Sequence, residues 1–455
     1  MKVAIAGASG FIGKALVKEL YGAHSIIGLS RSHRSDKEPN SPLEWRCCDL
    51  FSLLDAERAL EGADVAIYLV HSMRPSAHLT QGSFEDFDLI VADNFVRAAE
   101  KNQIKKMIFL GGMLPEDKAT LSKHLRSRQE VEEVFQKSSI PVTILRAALI
   151  IGGEGSSFQI MARLVERLPA MLCPAWTATP SQPVALSDVL KALRYCVDNE
   201  TGNQTFDLGG PHIISYSDMI LRVAQLRGLK RKLIPVPFLT PHLSALWVRL
   251  VAGAPRDLVN PLIEGLKIPL KARANHRLPL SEGLHIDEAL KEAMATYDSS
   301  KKPHAFQAPD VGRYEVRSVQ RLPLPEGWTA ENVAKEYMKF LPTAKPGYIR
   351  VSVQDRWVYF YIPFPYIRLL VLEYSPERSW SHRQLFYVRG GLFSKKIGRG
   401  RLEFREVLGG KACLSAIHDF KPRLPWFVYK WTQAIVHLWV MKQFARHLAA
   451  STKIG

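Results

Sequence analysis

The sequence predicts an α/β protein in which a doubly wound parallel sheet is followed by a C-terminal α+β domain. Residues 1–30 place two apolar, strand-length runs on either side of a glycine-rich turn and a helix-like segment, as in a parallel β-α-β unit. Residues 348–420 contain alternating or aromatic runs separated by glycine turns, which are typical of antiparallel strands. Large apolar residues recur from Pro425 to Ala450 and predict one long terminal helix.

The distribution of charge indicates where the chain divides. With 455 residues, of which 47% are hydrophobic and 23% charged, the chain is long enough for two or three globular domains. Residues 1–300 carry 35 Lys and Arg against 33 Asp and Glu, whereas residues 301–455 carry 26 against 11. We therefore expect a first domain at 1–300, whose substrate-side subregion is 150–300, and a second domain at 310–455.

Cysteine spacing and hydropathy indicate the cellular compartment in which the protein is expected. The five cysteines, at positions 47, 48, 173, 196 and 413, show neither paired nor metal-ligand spacing, so we expect reduced thiols and no metal site. No window of about 18 residues is both free of charge and continuously apolar, which argues against a membrane span. The first residues lack the charged and apolar regions of a signal peptide. These observations favour a cytoplasmic protein.

The segment GASGFIG carries glycines at three-residue spacing directly after the first apolar run. The first glycine permits a tight turn, the second lets the backbone approach a phosphate, and the third allows close packing of helix and strand. Because the turn opens a helix, whose N-terminus attracts anions, the pattern predicts a dinucleotide-binding Rossmann fold. The candidate cofactor-binding residues of this turn are Gly7, Ser9, Gly10, Phe11, Ile12 and Gly13.

The end of the second apolar run distinguishes between the two nicotinamide dinucleotides. An acidic residue there would bind the ribose hydroxyls of NAD, but the segment GLSRSHRS has no carboxylate before Asp36. It offers Ser30, Arg31 and Arg34 instead, and a guanidinium favours the 2′-phosphate of NADP. NADP(H) is therefore the preferred cofactor and NAD(H) the alternative, while a merely basic surface loop would explain the arginines without any cofactor.

The G-x-x-G-x-x-G spacing resembles that of the short-chain dehydrogenase/reductase superfamily. Segments 64–73, 104–113 and 142–155 resemble its fourth, fifth and sixth strands. Segments 181–199 and 205–220 resemble the substrate-side region of its extended and atypical branches. The resemblance implies that Asp49, with Leu50 beside it in the segment RCCDL, contacts the adenine.

In that superfamily a Tyr transfers a proton, a Lys four residues later lowers its pKa, and a Ser at the end of the fifth strand binds the substrate oxygen. The segment LSKHLRSRQEVEE places His124 and Arg128 in the positions of Tyr and Lys, and Gly111 and Gly112 end the strand without a hydroxyl. The charge of Arg128 should keep His124 largely neutral, which makes it a poor acid but a suitable base. The alternative is an ordinary helix start without dehydrogenase chemistry.

The HLRSR segment resembles the atypical reductases related to the nucleotide-binding accessory subunit of respiratory complex I and to NmrA-like proteins. Members of these groups often keep the cofactor but lack the Tyr and Lys pair, which implies that Arg128 contacts the nicotinamide ribose. Residues 310–455 resemble the second half of YbjT-like bacterial proteins, which fuse such a domain to a DUF2867 domain. This resemblance implies a helix-grip fold.

Three hypotheses about function follow from these features. The first is an NADP(H)-binding atypical reductase for a hydrophobic carbonyl or quinone-like substrate, with His124 and Arg128 in the catalytic roles. The second is a non-catalytic nucleotide-binding assembly or sensor factor related to complex I or to a quinone pathway. The third is a lipid-handling protein at an anionic membrane surface, because the second domain is basic and aromatic-rich. No nucleic-acid-binding signature is present, so nucleic acid is not an expected partner.

Overall fold

The computed structural model describes residues 1–34, 42–71, 79–115, 121–236, 253, 259, 263–300, 315–344, 348–395 and 398–451. The chain divides into two compact units. The first contains residues 1–74 and 94–307, and the second contains residues 75–93 and 308–455. The boundary predicted between residues 300 and 310 falls within 301–314, outside the described residues.

The elements of the described chain are numbered in chain order. The strands are β1 (Lys2–Ala6), β2 (Ser25–Ser30), β3 (Leu43–Cys47), β4 (Val65–Tyr68), β5 (Leu79–Gln81), β6 (Lys106–Gly112), β7 (Val142–Ala147), β8 (Ile150–Ile151), β9 (Ala170–Cys173), β10 (Pro180–Ser181), β11 (Val184–Ala185), β12 (Thr205–Leu208), β13 (Ile214–Ser215), β14 (Lys232–Pro235), β15 (Val316–Pro323), β16 (Arg350–Gln354), β17 (Trp357–Ile362), β18 (Ile367–Tyr374), β19 (Arg383–Gly390), β20 (Arg401–Val407) and β21 (Ala412–Phe420). The helices are α1 (Phe11–Leu20), α2 (Leu53–Ala59), α3 (Phe84–Lys101), α4 (Lys123–Gln136), α5 (Ser156–Arg167), α6 (Leu186–Asp198), α7 (Tyr216–Leu226), α8 (Ile286–Thr296), α9 (Ala330–Phe340), α10 (Trp426–Trp431) and α11 (Gln433–Ser451).

The first unit is built on a seven-stranded sheet in the order β12-β7-β6-β4-β1-β2-β3, in which every pairing is parallel. The chain builds β2 and β3 on one side of β1 and then returns to place β4 on the other side. Ligands of open α/β sheets bind at such a reversal, beyond the carboxyl ends of the strands. The predicted doubly wound parallel sheet is therefore confirmed.

Both faces of this sheet are covered, which explains why its central strands are continuously apolar. Leu16 of α1 and Leu193 of α6 belong to the core on one face. The other face carries an aromatic cluster in which the Phe109 ring stacks on Phe135 of α4 with centroids 4.8 Å apart. A separate core joins α5, α7 and α8 on the substrate side.

The second unit contains an eight-stranded sheet in the order β16-β17-β18-β19-β20-β21-β15-β5. Strands β15 to β21 pair antiparallel, and β5 adds to β15 in the parallel sense. The strands predicted between 348 and 420 are all present. The turn VLGGKA forms the hairpin between β20 and β21, where Leu408, Gly409 and Gly410 have positive φ angles.

One face of the second sheet is apolar and packs against α9 and α11. Thr329 begins α9 with a capping box shared with Asn332. Tyr337, Phe404 and Phe444 meet in the core, and the Tyr337 ring centroid lies 5.4 Å from Phe404 and 5.1 Å from Phe444. These aromatic side chains therefore belong to the core between the sheet and the helices.

The terminal helix departs from the prediction. One helix was expected from Pro425 to Ala450, but α10 ends at Trp431 and α11 starts at Gln433. Thr432 between them has φ −123° and ψ −87°, and its hydroxyl donates to the carbonyl oxygen of Val428 at 2.6 Å. Such a bond competes with the helical backbone pattern. No helix among the described residues is long and apolar enough to cross a membrane.

The other face of the second sheet carries a buried ion cluster. Arg383 Nε lies 2.7 Å from Glu403 Oε1, and Arg405 pairs with both Glu403 and Asp93, reaching Asp93 Oδ2 at 2.8 Å. His418 is fully buried beside them, with Nε2 3.8 Å from Glu403 Oε2. Burial alone would raise the pKa of Glu403, but the two guanidiniums hold that pKa well below its ordinary value.

Candidate functional site

The candidate site lies at the carboxyl edge of the first sheet, where its strand order reverses. Strands β1 and β4 pair in parallel register, so the loops after Ala6 and after Tyr68 leave the sheet side by side. They approach closely, because a Cβ atom built on Gly7 would lie 3.3 Å from the backbone of Leu69. The glycine turn and the segment that follows β4 therefore share one edge.

The glycine turn has the geometry that the motif predicts. Gly7 adopts φ +89°, a conformation that side chains with a Cβ rarely tolerate, and its carbonyl accepts a hydrogen bond from Gly10 N at 2.9 Å. A Cβ on Gly13 would lie 2.1 Å from the Gly7 oxygen, so α1 starts directly on the turn only because residue 13 is glycine. The residues present therefore fit a turn that holds a pyrophosphate at a helix N-terminus.

The remaining residues of the motif lie at the start of α1. Ser9 and Ile12 are half-buried, as is Phe11. The ring of Phe11 packs against the loop after β8, since a Cβ on Gly152 would lie 2.6 Å from its Cζ atom and one on Gly155 would lie 3.1 Å from its Cε1 atom. Phe11 thus fixes the loop that leads into α5.

At the end of β2 the structure brings the predicted selectivity residues together. Ser30 is buried, and its hydroxyl accepts a hydrogen bond from Arg34 Nε at 3.2 Å. The Arg34 guanidinium also lies over the ring of Trp45, 5.3 Å from its centroid. Arg31 is exposed beside them. A guanidinium held at this position can bind a phosphate on the adenosine ribose.

The third strand places the predicted adenine contact next to this corner. Cys48 N donates to the carbonyl oxygen of Ser30 at 2.8 Å, and the next residue is Asp49. One carboxylate oxygen of Asp49 accepts from Phe51 N at 3.2 Å. Leu50 is buried, and its carbonyl accepts from the side-chain amide of Asn94 at 2.8 Å. The loop after β3 is therefore held against the end of β2.

The helix that carries His124 and Arg128 begins where the sequence suggests. Ser122 caps α4 by accepting a hydrogen bond from Leu125 N at 3.3 Å. Val131 and Phe135 are fully buried, as their spacing predicts. Glu132 pairs with Arg146 of β7 and not with the basic residues of the first turn of α4. This ion pair ties α4 to the sheet.

Arg128 lies inside the fold at the ends of β4 and β6. It is 5% exposed, its guanidinium lies 5.1 Å from the ring centroid of Phe109, and Nη1 lies 3.5 Å from the carbonyl oxygen of Val70. A Cβ on Gly112 would lie 3.7 Å from Arg128 Cγ. The side chain of Arg128 therefore lies beside the end of β6, where the superfamily that the sequence resembles carries a serine.

The structure adds a residue that the sequence did not single out. His71, which follows β4, lies with Nε2 3.2 Å from His124 Nδ1 and with Nδ1 3.4 Å from Arg128 Nη1. Residues 69–71 contain no recognisable motif. The only signal for a functional role of His71 was therefore its position just after a strand that ends at the ligand-binding edge of the sheet. We name His71, His124 and Arg128 the histidine cluster.

Arg128 determines how protons are arranged in the histidine cluster. An arginine can only donate, so His71 Nδ1 accepts and His71 carries its proton on Nε2. Nε2 of His71 then donates to Nδ1 of His124, and His124 carries its own proton on Nε2. The cluster thus favours the same tautomer, with the proton on Nε2, in both imidazoles.

Comparison with known proteins agrees with this geometry. Residues 7–167 match the NAD(P)H-binding family. Auxiliary protein GraX of Staphylococcus aureus is 35% identical over 111 residues, which are 24% of this chain and 36% of GraX. The chain thus spans about a third of the length of that relative. The mitochondrial NADH dehydrogenase (ubiquinone) 1 alpha subcomplex subunit 9 of Arabidopsis thaliana is 22% identical over 314 residues, 66% of this chain and 74% of that protein.

Solved structures show the same fold. The Citrobacter sp. triphenylmethane reductase complexed with NADP(H) superposes with a TM-score of 0.52 at 17% identity, covering 64% of this chain and 100% of that one. The Bordetella bronchiseptica enzyme WbmG in complex with NAD and UDP has a TM-score of 0.50 at 14% identity, covering 68% and 99%. The first unit of this protein therefore contains a Rossmann-like domain whose residues 7–167 match the NAD(P)H-binding family.

Proposed function

We propose that this protein is an NADP(H)-dependent reductase of the atypical type, acting on a hydrophobic carbonyl or quinone-like substrate. The observation that carries the proposal is the histidine cluster, which lies at the carboxyl ends of β4 and β6, the edge at which open α/β sheets bind their ligands. The turn Gly7–Gly13 would hold the pyrophosphate, and Arg34 with Arg31 would select the 2′-phosphate. Asp49 and Leu50 would border the adenine.

When bound, NADPH would supply the hydride that reduces the substrate carbonyl, and the carbonyl oxygen would take up a proton. His124 would donate a hydrogen bond from Nε2 to that oxygen and so stabilise the negative charge that develops on it. A neutral imidazole can donate such a hydrogen bond without releasing its proton. Solvent would then supply the proton, and Arg128 would hold the tautomer through His71 and contact the nicotinamide ribose.

The chemistry can be tested with a panel of quinones and aldehydes, in which NADPH consumption is followed for wild type and His124→Ala. We expect at least a tenfold loss of kcat in His124→Ala, because removal of one hydrogen-bond donor to a developing oxyanion costs about 10²- to 10³-fold in kcat. His285→Ala, an exposed histidine of the same unit, is the matched control and should retain the wild-type rate. Equal turnover by wild type and His124→Ala would remove His124 from the mechanism.

A second candidate is a nucleotide-binding assembly or sensor factor without turnover. Gly111 and Gly112 provide no hydroxyl at the end of β6, and the similarity to the complex I subunit spans 66% of this chain. NADPH binding by wild type with no consumption on any member of the panel would favour this candidate. The helix-grip and DUF2867 assignments of the second unit stay predictions in either case.

A further inference from the structure

Helices α10 and α11 expose large apolar side chains. Phe427 and Trp431 are each 70% exposed, and Ile435, Val436 and Trp439 are 51%, 55% and 40% exposed. We name these five residues the terminal apolar face. Single exposed apolar residues are ordinary on protein surfaces, but groups of them mark places where another surface binds.

The terminal apolar face is distinct from the side of α11 that belongs to the core. Buried residues of α11 are Ala434, Val440, Met441, Phe444 and Leu448. At 3.6 residues per turn, Ile435, Val436 and Trp439 project from the side of the helix opposite Phe444 and Leu448. The exposed residues are therefore not a part of the core that has been left uncovered, because α11 already buries a complete apolar stripe of its own.

Basic residues accompany the terminal apolar face. Lys430 is exposed, and its Nζ lies 5.6 Å from the ring centroid of Trp431. Lys442 and Arg446 are also exposed and continue the side of α11 on which Ile435 and Trp439 lie. Residues 420–455 contain no Asp or Glu in the sequence. The segment therefore combines exposed aromatic and aliphatic groups with side-chain charges that are all positive.

Charge identifies the kind of partner. A second copy of this face would bring like charges together, which opposes self-association. Nucleic acid would match the charge, yet Ile435 and Val436 offer it neither stacking nor hydrogen bonds. A bilayer with anionic headgroups matches both properties, since aromatic and aliphatic groups enter the interface while lysine and arginine contact the phosphates. We propose that the terminal apolar face docks onto an anionic lipid bilayer.

The full-length protein can be tested by cosedimentation with phosphatidylcholine vesicles, with and without about one-third phosphatidylglycerol. We expect binding only with the anionic lipid, and about a tenfold loss of binding in the double variant Ile435→Ser/Trp439→Ser. The matched control is Leu221→Ser/Leu226→Ser, two exposed leucines of α7, which should bind vesicles as wild type does. Lys442→Glu/Arg446→Glu should also lose binding.

Three results would overturn the proposal. These are equal binding to neutral and anionic vesicles, wild-type binding by Ile435→Ser/Trp439→Ser, and a wild-type dimer in sedimentation that this double variant dissociates. The proposal does not depend on the proposed reductase function. Thermal unfolding of the same samples, followed by circular dichroism, should be the same in wild type and in all these variants, so that a folding defect is distinguished from a loss of docking.

Discussion

Nδ1 of His71 lies 3.4 Å from Nη1 of Arg128, an arginine that is buried at the ends of two parallel strands. This contact connects Arg128 of α4, at the position where the superfamily that the sequence resembles carries a lysine, to a histidine in the segment after β4. An arginine at this position makes contacts that a lysine cannot make together. Its guanidinium lies over Phe109, and one of its nitrogens reaches both Val70 O and His71 Nδ1.

Replacing Arg128 by Lys should disturb the tautomers of the histidine cluster. The ammonium keeps the charge but loses the planar group that lies over Phe109 and donates to His71. Long-range nitrogen–proton NMR spectra should show His71 and His124 protonated on Nε2 in wild type and a mixture of tautomers in Arg128→Lys. Arg126→Lys, an exposed neighbour on α4, is the control. Identical histidine spectra in wild type and Arg128→Lys would contradict the arrangement.

Substitution of Gly13 should remove nucleotide binding. In Gly13→Ala the new Cβ would meet the Gly7 oxygen at 2.1 Å, so α1 would have to move away from the turn. We expect NADPH affinity to fall by more than tenfold, which corresponds to about 1.4 kcal/mol. Gly265→Ala, where a Cβ meets nothing within 4 Å, should bind as wild type does. Retained affinity in Gly13→Ala would show that the nucleotide binds elsewhere.

The stability of the protein should fall as the pH is lowered below 6.5, because His418 is buried among Arg401, Glu403, Asp419 and Arg317. Burial first, and then the charge of Arg401, lower the pKa of His418 to about 3, although Glu403 opposes this. Between pH 6.5 and 3, His418 therefore binds a proton in the unfolded chain but not in the folded chain.

Each pH unit within that window should cost about 1.4 kcal/mol of unfolding free energy, up to a few kcal/mol in total. Urea unfolding of wild type and His418→Gln at pH 7, 6 and 5 measures the slope. The unfolding free energy of His418→Gln should depend less on pH than that of wild type, whatever the stability of the variant at pH 7. A slope that is the same in both proteins would show that His418 does not carry the effect.

The sequence predicted the first fold well because its signals are local. Turn chemistry at Gly7 and Gly13 and apolar runs of strand length are readable over a few neighbouring residues. The helix start considered for the segment LSKHLRSRQEVEE is likewise present as the beginning of α4. The predicted residues Ser30 and Arg34 meet because they are four positions apart.

The features that the sequence did not reveal depend on distant contacts. His71 and His124 are 53 positions apart and meet only through the order of the parallel strands. Strand β5 pairs with β15, more than two hundred residues later, and neither strand was predicted. The break at Thr432 coincides with a hydroxyl that bonds to the preceding turn, and an apolar periodicity does not predict such a local contact.

The most direct test of nucleotide binding is calorimetric titration of NADPH and of NADH into wild type and Arg34→Gln. The proposed function predicts one site per chain, tighter binding of NADPH than of NADH, and about a tenfold loss for NADPH alone in Arg34→Gln, since only the 2′-phosphate loses its partner. Arg58→Gln, an exposed arginine of α2, should bind both nucleotides as wild type does. Tighter binding of NADH by wild type, or equal loss of both nucleotides in Arg34→Gln, would contradict this assignment.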